Sequence, residues 1–109
     1  MEVFNHHIYE FKKGLRRMVL YTTTIEEVMY IERKLKKQDI SYFLTYPGDK
    51  NINVFFGDST CVDVIKSFNP SNLTNLTLEQ DFILGAVLGY DIKIQCQRYL
   101  KRKNLKEVV

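Results

Sequence analysis

Apolar positions along this chain switch between helical and strand spacing, and the switches mark out its elements. In residues 3–13, Phe4, His7, Ile8 and Phe11 recur at helical spacing and Gly14 ends the run, which predicts a short helix. Residues 15–22 have a continuously apolar middle, as in a strand covered on both faces. Thr24 and Glu27 stand in capping-box positions. A helix is expected from there to about Lys37, with Ile25, Val28, Met29, Ile31 and Leu35 facing the core and cations in its last turns. Tyr42–Tyr46 and Ile52–Phe56 read as strands of a hairpin around the turn residues Pro47-Gly48-Asp49-Lys50-Asn51. Gly57-Asp58-Ser59 opens another helix, with Val62, Val64, Ile65 and Phe68 as its apolar set, and Asn69-Pro70-Ser71-Asn72 breaks it. Thr77 and Gln80 form a second capping box for a helix over Leu78–Leu88, which Gly89 stops. Asp91 starts a last helix through about Asn104.

That order predicts an α+β protein with a ferredoxin-like βαββα core of three strands and about five helices. The extra elements are one N-terminal helix and two C-terminal helices. The first strand is expected beside the third, with the second on the edge. Because the usual fourth strand is missing, the first strand keeps an unpaired side that a second copy or the terminal helices must cover. The apolar run Phe82–Leu88 surrounds its helix, so this helix is expected to be buried on all sides, either within the chain or against a second copy, with Gly85, Ala86 and Gly89 permitting close approach.

Composition narrows the class. The length of 109 residues with 45% apolar residues fits a single globular domain over 1–109. The net charge of +3 is mild, but its distribution is uneven. Residues 91–109 carry a net of +4, and residues 58–81 a net of −3. Such a chain can pair with itself or with an acidic partner. The longest apolar run falls well short of the roughly 18 residues of a membrane span. The start of the chain lacks the features of a secretion signal, so Cys61 and Cys96 are expected reduced in the cytoplasm, and the Asn-x-Thr triplets at Asn72 and Asn75 are read as turn and cap residues.

Few residues suggest chemistry. His6 and Glu10 are one helical turn apart, but no further metal ligand stands at a recognisable spacing, so His6 is read as a surface residue and His7 as a packed one. Cys61 falls in the first turn of a helix, a position that lowers a thiol's pKa and would suit redox chemistry, whereas burial would make it a small hydrophobe. Cys96 is placed on the inner face of the last helix with Ile92, Tyr99 and Leu100. Asn51 and Asn53 can bind a ligand or simply finish a hairpin. Gly57-Asp58-Ser59-Thr60 is an anion-friendly helix start, but Asp58 already supplies negative charge there. The basic run Arg98, Lys101, Arg102, Lys103 and Lys106 could touch nucleic acid, but a solvated helix end explains it as well.

Three segments carry a resemblance. They are Val3-Phe-Asn-His-His-Ile-Tyr-Glu-Phe with Lys13-Gly14, Asn51-Ile-Asn-Val-Phe-Phe-Gly57 with Cys61, and Phe82-Ile-Leu-Gly with Leu88-Gly-Tyr-Asp91, Gln95, Cys96 and Tyr99. Together they resemble a small family of uncharacterised bacterial proteins of about this length. The resemblance implies a cytosolic homodimer and, as a partner, a flavodoxin-type electron carrier, onto whose acidic surface a basic one would dock. It implies no catalytic residue, and no cofactor is expected.

The reading that follows is a non-enzymatic dimeric module that binds a partner protein or a small ligand. Its contact region is expected at Asn51, Asn53, Phe55, Tyr90 and Asp91, with His6 and His7 nearby. A thiol or redox enzyme using Cys61 and nucleic-acid binding through residues 98–106 are the alternatives.

Overall fold

The computed structural model describes residues 1–70 and 73–108, with side chains as far as Asn104. Its elements, in order, are α1 (Glu2–Lys12), β1 (Met18–Thr24), α2 (Ile25–Lys37), β2 (Ser41–Thr45), β3 (Asn51–Gly57), α3 (Ser59–Ser67), a short 3-10 turn (Leu73–Asn75), α4 (Leu78–Val87) and α5 (Ile92–Val108). The protein is α+β, with five α-helices and one three-stranded antiparallel sheet among the described residues. The strand order is β1-β3-β2. Ser71 and Asn72, half of the expected helix break, lie outside the described residues.

β3 is the central strand, and Ile52 through Gly57 are all buried. Neighbouring residues of a strand point to opposite faces, so this single apolar run feeds two cores. On one face Val54 and Phe56 pack with Val19 of β1, Phe4 and Ile8 of α1, and Ile31 and Leu35 of α2. Phe56 meets Phe4 edge-on at 5.6 Å between ring centroids. On the other face Phe55 packs with Met18 of β1, Val62 and Ile65 of α3, and Leu84 and Leu88 of α4. Phe55 also stacks on Phe43 of β2 at 4.6 Å.

Three helices end in the same way. After α1, Gly14 takes a left-handed backbone (φ 77°), and the Leu15 amide donates to the Glu10 carbonyl at 3.0 Å. After α4, Gly89 (φ 84°) does the same, with the Tyr90 amide on the Gly85 carbonyl at 3.1 Å. α2 uses Asp39 for this role (φ 56°), with the Ile40 amide on the Leu35 carbonyl at 3.0 Å. Aspartate tolerates this conformation because its short polar side chain bonds locally.

Several sequence expectations are corrected. β1 begins at Met18 rather than Leu15, because the turn at Gly14 leaves residues 15–17 as a connector. Ile25 and Met29 are 64% and 66% exposed. The core stripe of α2 is Val28, Ile31 and Leu35, and the other two fall on its shoulder. Val64 likewise lies outside the core stripe of α3, which is Val62 and Ile65. Thr24 is the N-cap of α2 without a side-chain bond, and Glu27 is held instead by the Thr23 hydroxyl at 3.0 Å. The second capping box, Thr77 with Gln80, forms as expected. α4 is not buried all round, since Ile83 reaches solvent.

α5 turns a polar face to α4, which explains two further corrections. Asp81 accepts from Arg98 at 3.2 Å and Arg102 at 3.0 Å. Glu79 accepts from the Tyr99 hydroxyl at 2.6 Å and from Lys103 at 3.3 Å. The acidic and basic stretches of the sequence therefore meet within the chain. A Cβ added to Gly85 would lie 2.2 Å from the Gln95 side chain, so the close approach at this glycine is to α5. Cys96 is exposed rather than structural, as are Ile92 and Leu100, because Gln95, Arg98, Tyr99 and Arg102 take the face towards α4.

Two outcomes follow. Gly57 has φ 146°, and an added Cβ would sit 2.4 Å from the Arg17 carbonyl oxygen, a backbone atom that cannot swing away. Gly57→Ala is therefore expected to cost about 2–4 kcal/mol in urea unfolding. Gly48→Ala, with open space around it, should change stability little. Separately, Tyr42 donates to Glu32 at 2.8 Å, and burial together with that carboxylate pushes its pKa from 10.0 up to about 12. The fold favours the neutral phenol, so this contribution is whole below pH 10.0 and lost as pH rises towards 12. Tyr42→Phe should remove this component of alkaline destabilisation in unfolding measured across that window.

Candidate functional site

The residues expected to form a contact region lie on different parts of the fold. His6 is exposed on α1 and stacks on Tyr9 at 6.2 Å. His7 is half-buried, with its Nδ1 3.2 Å from both Glu10 and Arg16 and its ring edge-on to Tyr21. That is the packed histidine the spacing suggested. Asn51 is exposed at the start of β3, opposite Thr24.

Asn53 and Phe55 point to the opposite face of the sheet from α1. Asn53 is 8% exposed, and its Oδ1 accepts from the Thr22 hydroxyl at 2.8 Å. Thr22, Asn53 and Thr45 stand side by side across the three strands. Phe55 is wholly buried under Phe43, so as a contact residue it is corrected: its ring has no surface to offer a partner. Tyr90 and Asp91 are exposed at the junction of α4 and α5. Asp91 caps α5 by accepting from the Ile94 amide at 3.0 Å.

Cys61 is half-buried in the first turn of α3. Asp58 caps that turn, accepting from the Thr60 amide at 3.0 Å and the Cys61 amide at 3.2 Å. The carboxylate thus occupies the amides that would have welcomed an anion. Burial first, and then the Asp58 charge, push the thiol's pKa up. This is the reverse of what a bare helix N-terminus would do to a thiol. His6 and Glu10 come within 3.9 Å, but among the described residues no group of three or more His, Cys, Asp and Glu is placed to hold a metal ion.

Two concavities stand out among the described residues. One, of about 290 Å³, lies between β1, the 3-10 turn, α4 and α5, with Leu20, Leu73, Leu76, Leu84 and Leu88 as its apolar walls. Of its polar lining, Asp81 is held by Arg98 and Arg102 and the Gln95 side chain lies close to Gly85, while Tyr90 is exposed. A volume of this size is at the lower limit for a ligand site.

The other is an open groove of about 750 Å³ between α1 and α2, lined by Lys12, Tyr30, Arg33, Lys34, Lys37 and Gln38. Four of these six are cations and none is a carboxylate. Lys34 donates to Asn5 and lies 5.9 Å from the Tyr30 ring centroid, which ties the groove's wall together. Tyr30 remains 43% exposed. In the sequence Arg33, Lys34 and Lys37 read as cations matched to the dipole at the end of α2, and the conspicuous basic run is at the C-terminus. There, Arg98, Arg102 and Lys103 are engaged by α4, and the Lys106 side chain lies outside the described residues. The missed signal was a shared wall: Lys12 and the 33–37 cluster are far apart in the chain.

The fold and these surfaces define a small α+β domain with an electropositive groove. The chain matches the family described as a protein of unknown function (DUF2023) over residues 2–102 of its 109, and it belongs to that family. No curated protein matches it.

The environment of Cys61 gives a direct expectation. At neutral pH, maleimide should label exposed Cys96 well before Cys61. Asp58→Asn keeps a capping oxygen but removes the charge, so it should speed Cys61 alkylation several-fold and move its pH dependence downward. Equal rates in the two proteins would show that Asp58 does not control this thiol.

Proposed function

We propose that this protein is a non-catalytic binding module whose α1–α2 groove docks an acidic protein surface. The observation that carries the proposal is the groove's lining of Lys12, Arg33, Lys34 and Lys37 around Tyr30, with no carboxylate among the lining residues. Clustered charge of one sign on a concave wall attracts and steers an opposite surface, and an exposed tyrosine within it supplies apolar contact area. A flavodoxin-type electron carrier, the partner the family resemblance implies, has the acidic chemistry this groove suits. The raised thiol of Cys61 weighs against redox chemistry by this chain itself. The ion pairs of Arg98, Arg102 and Lys103 with α4 weigh against a nucleic-acid face on α5.

The scaffold beneath the groove is proposed to be a ferredoxin-like core without its fourth strand. Supporting this are the order β1-β3-β2, the antiparallel pairing of β3 with both neighbours, and α2 connecting β1 to β2. In such a core α1 is the added element, and it supplies one wall of the groove.

Calorimetric titration with a purified acidic flavodoxin tests the docking. Binding should weaken as salt is raised, because exposed charges are screened. Arg33→Glu with Lys37→Glu should weaken it roughly tenfold or more, at about 1 kcal/mol for each reversed charge. Lys101→Glu on α5 should change it little. Binding that survives the double reversal, or the lack of any salt-sensitive binding, would refute the groove as the docking site.

A further inference from the structure

The electropositive wall does not stop at the groove. α1 and α2 carry the same short pattern: Tyr-x-x-Lys-Lys at Tyr9, Lys12 and Lys13, and Tyr-x-x-Arg-Lys at Tyr30, Arg33 and Lys34. Residues three and four apart share one side of a helix, so each pattern gathers a ring and two cations together. In each, the lysine four residues on lies against the tyrosine. The Lys13 Nζ is 5.5 Å from the Tyr9 ring centroid, and the Lys34 Nζ is 5.9 Å from that of Tyr30. His6 stacks on the Tyr9 ring as well, at 6.2 Å. Tyr9 is 54% exposed and Lys13 is exposed, but both lie outside the lining of the groove.

The acids of these two helices leave the patterns positive. Glu10 lies 3.2 Å from His7, 3.9 Å from His6 and 4.0 Å from Arg16. Glu27 accepts from Thr23, and Glu32 accepts from the Tyr42 hydroxyl. The exposed acids Glu2 and Glu26 stand in the first turns of α1 and α2, and neither lines the groove.

We infer that the acidic partner docks across the crest of α1 as well as in the groove, meeting the two matched Tyr–Lys pairs with two clusters of carboxylates. A free lysine loses much rotamer freedom when a partner fixes it, and a ring beneath the ammonium group holds it in place beforehand. The rings also decide between anions. A nucleobase stacking on Tyr9 would have to displace His6 or Lys13, and one on Tyr30 would have to displace Lys34. A carboxylate meets each ammonium group where it already lies. The inference rests on the docking function proposed for the groove and adds Tyr9 and Lys13 to that surface.

Calorimetric titration of the full chain with a purified acidic flavodoxin is the test. Lys13→Glu should weaken binding about fivefold without change in the folded circular-dichroism spectrum, because the position is exposed. Tyr9→Leu should weaken it about two- to fivefold, while Tyr9→Phe, which keeps a ring beneath Lys13, should bind as the wild type does. Lys36→Glu, an exposed position on α2 outside both patterns, should change binding little. Affinity lost on Arg33→Glu with Lys37→Glu, but kept by Lys13→Glu and Tyr9→Leu, would overturn this inference and leave the groove as the docking site. A wild-type chain with no salt-sensitive binding would remove the docking function itself, and this inference with it. Single-stranded oligo(dT) bound more tightly than the flavodoxin, and released by Lys13→Glu, would overturn the choice of a carboxylate partner.

Discussion

β3 has a helical layer on each face and a strand on each edge, so nearly everything it carries must find its partner inside the chain. Phe55 and Phe56, adjacent in sequence and both fully buried, commit the two faces of the sheet to separate cores. Fully burying one such side chain is worth roughly 1.5–3 kcal/mol, so a central strand with four buried apolar side chains, Ile52, Val54, Phe55 and Phe56, contributes heavily to the stability of a chain this small. The two edge strands, the hairpin and the placement of α1, α2 and α3 follow from that commitment. Gly57 belongs to the same constraint. At the end of β3 the chain passes so close to Arg17 that no side chain fits.

With the interior spent on packing, the polar groups that could do chemistry are mostly engaged. Asp58 is used as a helix cap and Glu10 as a partner for His7 and Arg16. Asp81 and Glu79 hold α5. What is left in quantity is surface charge, concentrated on the wall that α1 and α2 share. A domain built this way is suited to recognition by its outside, where a positive concavity and an exposed tyrosine meet. Exposed ion pairs such as those between α4 and α5 are each worth about 0–1 kcal/mol, so they orient α5 more than they stabilise it.

Much of the fold was legible in the chain, and the reasons are local. Turn chemistry at Pro47-Gly48, glycines after α1 and α4, and the Thr77–Gln80 capping box each act within a few residues, and each element stands close to where its signal placed it. The end of α2 was less clearly marked because Asp39 does the work usually given to glycine. Periodicity misplaced Ile25, Met29 and Cys96, because an apolar residue on the shoulder of a stripe looks the same in sequence as one at its centre. For α5 the error was larger. Its inner face is polar, chosen by the carboxylates of α4, and no one-helix pattern reports a partner's charge. The candidate site was hidden for a related reason: Lys12 and the cluster from Arg33 to Lys37 become neighbours only once both helices lie on the sheet.

The central claim is that recognition happens on the α1–α2 wall and not in the leucine-lined cavity beside α4. Amide-resolved NMR during titration with an acidic flavodoxin separates the two most directly. The account predicts shift changes concentrated at Lys12, Tyr30, Arg33, Lys34 and Lys37, fading as salt is added. Changes confined to Leu20, Leu84, Leu88 and Tyr90, or a spectrum that does not move at any salt concentration, would contradict it.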